Sequence, residues 1–140
     1  MKLLLLASLL AAALAETEYD LQVTTKDVQW ADSDGHFFAS VYGYDGTVVN
    51  SGRLDDPAVD DFQRGETNDF KFTSDVDVGE IACLVLRAGN QYEDGWILDN
   101  FKITSSTDTD GFKGINPESL WLSGERGEGH IALMWCKKED

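Results

Sequence analysis

Trp30-Ala31-Asp32-Ser33-Asp34-Gly35-His36-Phe37-Phe38-Ala39-Ser40-Val41-Tyr42-Gly43 runs from an acidic turn straight into a strand. Phe37, Ala39 and Val41 alternate with Phe38, Ser40 and Tyr42. Successive side chains of an extended chain point to opposite faces, so this run reads as a β-strand with one apolar face. Asp32, Asp34 and Gly35 crowd oxygen donors at the mouth of that strand, and Trp30 sets a large aromatic at its rim. Oxygen donors gathered on a turn are the ligand type of a hard divalent cation such as calcium.

Working outward, Tyr19 to Thr25 has the same period, with Tyr19, Leu21 and Val23 on one face. The loop Lys26 to Gly35 follows. An indole in such a polar loop is expected to pack against the protein, because burial of a large aromatic stabilises a core; the alternative is an anchor for a membrane or a partner. On the other side, Gly43-Tyr44-Asp45-Gly46 is a turn, with a carboxylate at a strand end. Thr47 to Leu54 reads as a third strand, and Asp55 to Asp61 as a solvated acidic loop around Pro57.

Phe62 and Phe70 flank Arg64-Gly65, where glycine supplies a positive-φ turn and Arg64 is expected to pair with Asp69 or Asp99. Asp69 to Ser74 is then a strand with Phe70 and Phe72 inward. Glu80 to Ala88 is the most apolar run after the leader, suited to a central strand covered on both faces. Gly89 to Gly95 is a second acidic loop, where Tyr92 is a candidate surface anchor and Glu93 and Asp94 are candidate ligands. Trp96 and Leu98 are out of phase with Phe101 and Ile103, so a bulge near Asp99-Asn100 is needed to bring all four inward. A polar stretch from Ser105 to Gly129, interrupted by Leu120-Trp121-Leu122, leads to a closing strand, Ile131 to Cys136. About eight strands with almost no helical periodicity predict an all-β fold, an antiparallel two-sheet β-sandwich.

The length of 140 residues allows one domain, and a hydrophobic content of 42% is that of a globular chain. Residues 1–15 have the basic start, apolar run and small-residue end of a secretory signal peptide, so a single domain is expected over residues 16–140 in a secreted, extracellular protein. No later run is long enough to span a bilayer. The net charge of −15 becomes about −16 without Lys2. Such a balance excludes nucleic acid as a partner, since phosphate contacts need lysine and arginine in excess. Cys83 and Cys136 lie in apolar, strand-like runs of a chain expected to meet an oxidising compartment. One disulfide between a middle strand and the last is the favoured reading, and two buried free thiols the other. No Asn-x-Ser/Thr sequon is present.

Three motifs carry a family resemblance. The turn Ala31-Asp32-Ser33-Asp34, leading into a strand that ends Tyr42-Gly43, resembles the Ala-Gly-Thr-Asp turn and Tyr-Gly strand of PLAT domains, also called LH2 or lipoxygenase homology domains. Phe62-Gln63-Arg64-Gly65-Glu66-Thr67-Asn68-Asp69-Phe70 resembles the family's Phe-Glu-Arg-Gly-x-x-Asp-x-Phe, and Trp96-Ile97-Leu98-Asp99-Asn100-Phe101-Lys102-Ile103 its Trp-Phe-Leu-Asp-x-Val-x-Val. The resemblance covers about Tyr19 to Thr104. It implies a sandwich whose edge loops cluster, with Asp34, Asp45 and Asp94 matching calcium-binding acids. Asp32 stands where a glycine carbonyl often serves. It also implies that Trp30, after Gln29, enters a lipid interface once calcium is bound. A His-Asp pair found in many members is replaced by Ala88-Gly89, so any contribution from that pair is absent.

Other chemistry is poorly served. Asp108-Thr109-Asp110-Gly111 resembles part of an EF-hand loop, but Ser106 and Pro117 occupy its first and twelfth positions and no helices flank it, so it reads as a turn. The two histidines, His36 and His130, belong to no Gly-x-Ser-x-Gly elbow or His-Glu-x-x-His motif. The chain is therefore expected to be non-catalytic: a calcium-dependent lipid-interface module, or else an extracellular protein-binding or matrix-associated module independent of calcium.

Overall fold

The computed structural model describes residues 16–89, 95–123 and 129–138. Its strands are β1 (Thr17–Thr25), β2 (Phe37–Gly43), β3 (Val48–Arg53), β4 (Thr67–Ser74), β5 (Ile81–Ala88), β6 (Leu98–Ser105), β7 (Phe112–Ile115) and β8 (Ala132–Cys136). They form two four-stranded sheets, ordered β4-β1-β6-β7 and β3-β2-β5-β8, with antiparallel pairing throughout. This is the predicted all-β sandwich.

The apolar alternation of each strand becomes the core. Tyr19, Leu21 and Val23 from β1 face Phe37, Ala39 and Val41 from β2, and all six are buried. In β6 the register steps from Thr24↔Asn100 to Thr25↔Leu98, so Asp99 is the extra residue of a bulge. That one insertion restores the phase: Trp96, Leu98, Phe101 and Ile103 are all buried. Phe37, Phe62 and Trp96 meet with ring centroids 4.8 to 5.1 Å apart, anchoring three connections to one aromatic knot.

Two glycine positions have steric reasons. Gly65 takes φ 75° in the turn before β4, and a Cβ on Gly43 would stand 2.2 Å from the Val78 carbonyl oxygen. Cys83 and Cys136 are register partners on β5 and β8 and form the disulfide. Asp108 holds its turn by accepting from the Ile81 amide at 2.9 Å and the Gly111 amide at 3.1 Å. Burial opposes its charge, but these two amides and Lys137 hold its carboxyl below the usual range.

Three expectations need correction. Arg64 pairs with Asp27 at 3.0 Å rather than with Asp69 or Asp99, because Gly65 bonds to the Thr25 carbonyl and brings the turn against the end of β1. The polar stretch after Thr104 contains β7, whose Phe112 stands edge-on to Phe101 in the core. β5 is an interior strand, but only its inner face is fully covered; on the outer face Cys83 and Val85 are half-buried and Arg87 is exposed.

Candidate functional site

Antiparallel strands return their connections to two opposite ends, and the β1–β2, β3–β4, β5–β6 and β7–β8 segments share one of them. Backbone bonds lash these segments together: Ser33 N to Phe62 O at 3.1 Å, Ile97 N to Ala31 O at 3.2 Å, Trp96 N to Leu122 O at 2.9 Å and Gly89 N to His36 O at 2.8 Å. The end is thus a tied surface built on the aromatic knot.

Within it lies a cleft of about 130 Å³ between Ser33-Asp34-Gly35 and the loop from Leu54 to Phe62. Its described lining residues include the acids Asp34, Asp55, Asp60 and Asp61 and one cation, Arg53. Asp61 is the half-buried member. Its Oδ2 accepts from the Asp56 amide at 2.9 Å, while its Oδ1 is buried and has no hydrogen-bond donor. Burial pushes the Asp61 carboxyl above its usual range; the Asp56 amide opposes that, and the charges of Asp55 and Asp56 reinforce it.

An orphaned carboxylate oxygen beside further carboxylates is what a divalent cation relieves, and the oxygen-only donor set suits calcium. Asp34, Asp55, Asp60 and Asp61 are the residues that would hold such an ion. Among the described residues no three Asp, Glu, His or Cys side chains already converge as a metal site, so a cation here would draw the two loops together.

Asp34 lines this cleft, and Asp32 is exposed two residues before it in the same loop. Asp45 does not join them. It sits in the β2–β3 turn at the far end of β2, about 20 Å away at strand rise. There it accepts from the Thr47 amide at 2.9 Å, and that bond holds its carboxyl below the usual range. Tyr92, Glu93 and Asp94 lie outside the described residues; their segment leaves β5 at Ala88, the register partner of Phe37, and so starts from the cleft's end.

Trp30 is 71% exposed, which corrects the expectation that it packs against the protein. Its backbone is in the left-handed region at φ 72°, unusual for a residue with this side chain. The fully buried Ala31 beside it fills the inward position instead. The loop expected to be merely solvated supplies Asp55, Asp60 and Asp61. Its signal in the sequence was available: four acids in seven residues held between the apolar clamps Leu54 and Phe62, both buried.

The family description PLAT/LH2 domain matches residues 19–132. The chain belongs to the PLAT/LH2 family. No curated protein matches it in sequence. Among solved structures it is similar to a calcium-dependent 11R-lipoxygenase, at 25% identity and TM-score 0.60, covering 84% of this chain and 17% of that one. It is also similar to a coral 8R-lipoxygenase described as calcium-activated via a C2-like domain, at 20% identity and TM-score 0.66, covering 84% of this chain and 16% of that one. A third is the alpha toxin of Clostridium absonum, at 20% identity and TM-score 0.64, covering 87% of this chain and 31% of that one. The chain spans less than a third of each of these proteins. Among the described residues no helix is long and apolar enough to cross a membrane.

Proposed function

We propose that this chain is a secreted, non-catalytic module that docks on a lipid interface when calcium occupies its acidic end. The observation that carries the reading is the juxtaposition at one end of the sandwich of a four-carboxylate cleft, with a buried unpartnered oxygen on Asp61, and an exposed Trp30. Calcium would neutralise carboxylates that otherwise repel both each other and anionic surfaces, and would stiffen the loop next to the indole. A desolvated tryptophan then supplies interfacial affinity, with its apolar body in the acyl boundary and its N–H at headgroup level. Tyr92, from the neighbouring connection, is the second proposed anchor, and Glu93 and Asp94 further ligands.

Calcium-dependent stability tests the first step. A ligand selective for the folded state at 100 times its Kd adds about 2.7 kcal/mol, so millimolar calcium should raise the melting midpoint over that in EDTA. Flotation with phosphatidylcholine vesicles tests the second: binding in calcium should be lost in EDTA and in Trp30→Ala. Absence of both responses would leave the calcium-independent protein-binding module as the better account.

A further inference from the structure

The two sheets differ on their outward faces. Sheet β4-β1-β6-β7 presents a solvated face, with Asp20, Gln22, Lys71, Asp69, Lys102 and Lys113 at outward positions. The facing sheet presents Tyr42, Val48, Val85, Met134 and the Cys83–Cys136 disulfide instead, with Met134 60% exposed. No carboxylate occupies an outward position on its four strands. In a chain with a net charge of −15 this is an anomaly.

Its charged residues are two arginines in one row. Phe38 is the register partner of Arg53 on β3 and of Arg87 on β5, so the guanidinium side chains leave the sheet on either side of one aromatic. Both arginines are exposed, and neither has an ion-pair partner among the described residues. Beside Arg87 a groove of about 370 Å³ runs over Phe38, Ala88, Gly89, Ile131 and Ala132. Gly89 keeps it open, since a Cβ there would come within 2.6 Å of the Phe38 ring. The row is at the start of β2, the same end as the acidic cleft and Trp30, and Ile131 at the groove is 67% exposed.

We infer that the Arg53–Phe38–Arg87 row and its groove bind the phosphate headgroup of an anionic phospholipid. This rests on the lipid-interface reading above and adds the class of lipid. Planar guanidinium groups match phosphate oxygens through paired charge-assisted bonds. At physiological ionic strength charges are screened beyond about 8 Å, so the two arginines outweigh the distant carboxylates, and only those of the adjoining cleft compete at Arg53. Arg53 also borders the acidic cleft; a divalent cation held there would offset two of its four carboxylate charges and weaken their competition for it.

The test is flotation of the purified protein in millimolar calcium, with vesicles of phosphatidylcholine alone and with a minority of phosphatidylglycerol added. Wild type should prefer the anionic vesicles by about tenfold or more. Arg87→Gln, which is outside the acidic cleft, should lower that preference several-fold while keeping wild-type binding to phosphatidylcholine, and Arg53→Gln with Arg87→Gln should remove most of it. A charge-matched control, Lys71→Gln with Lys102→Gln on the opposite outward face, should keep the preference. Thermal melts confirm that each variant is folded. Equal loss in the control would overturn the assignment in favour of a general charge effect. A double arginine variant that floats like wild type but is no longer retained on immobilised polyglutamate would overturn it in favour of an acidic protein partner. Wild type floating equally with both vesicles would overturn the arginine site alone, whereas failure to float with either would also overturn the membrane reading.

Discussion

Trp96 donates its indole N–H to Thr25 Oγ1 at 2.8 Å, with both residues buried. The bond joins the entry to β6 with the end of β1, and together with the Phe37–Phe62–Trp96 contacts it floors the loop that carries Trp30.

Thr25→Val should therefore destabilise the fold without altering the exposed surface. It leaves a buried indole N–H unpaired, which costs about 1–3 kcal/mol, or a fall of about 4 °C in melting midpoint for each kcal/mol. Thermal and urea melts measure it, and an unchanged midpoint would show that the hydroxyl is dispensable.

The cleft predicts a positional contrast among aspartates. Asp34→Asn and Asp61→Asn should each shrink the calcium-induced rise in melting midpoint. Asp45→Asn should leave it at the wild-type size, because that side chain is in the turn at the other end of β2. Asp61→Asn should also raise the midpoint in EDTA, since it removes a partly buried charge beside Asp55 and Asp56. Equal loss from all three variants would place the ion elsewhere.

Asp20 sets a pH dependence. Its carboxyl is pushed up to about 6, first by burial and then by the neighbouring Asp69 carboxyl, against the opposing Lys71 and Lys102. Because the folded state holds this proton more tightly than the unfolded chain, stability falls as pH rises from about 4 to about 6 and then levels off. Asp20→Asn should accordingly raise the melting midpoint at pH 7.5 more than at pH 4. Melts across that range check it, and an equal gain at both would assign the effect to packing.

The disulfide spans a sequence separation of 53 residues. Closing such a loop is worth about 4 kcal/mol in the chain-entropy model. Reduction, or Cys83→Ser with Cys136→Ser, should lower the midpoint by more than any single surface substitution, and melts with and without a reductant provide the measurement. A loss below about 1 kcal/mol would indicate that the Leu84↔Trp135 and Leu86↔Leu133 pairs hold β8 unaided.

Strand identity was legible because it depends on local periodicity. Tyr19-Leu21-Val23 and Phe37-Ala39-Val41 announce their buried faces, and the phase break between Leu98 and Phe101 even announces the bulge at Asp99. β7 was not legible: Phe112-Lys113-Gly114-Ile115 has too few apolar residues to stand out, and it becomes a strand because β6 offers it a free edge.

The sequence by itself determined the antiparallel sandwich, the family motifs and the glycine turns, since these follow from alternation, side-chain size and backbone freedom over a few residues. Only the tertiary structure decided which loops share an end. It separated Asp45 from Asp34, moved Asp55, Asp60 and Asp61 beside Asp34, turned Trp30 outward and set Arg53 and Arg87 on either side of Phe38. The physical reason is that charge density and exposure are sums over residues distant in sequence, and strand order and register choose which residues enter each sum.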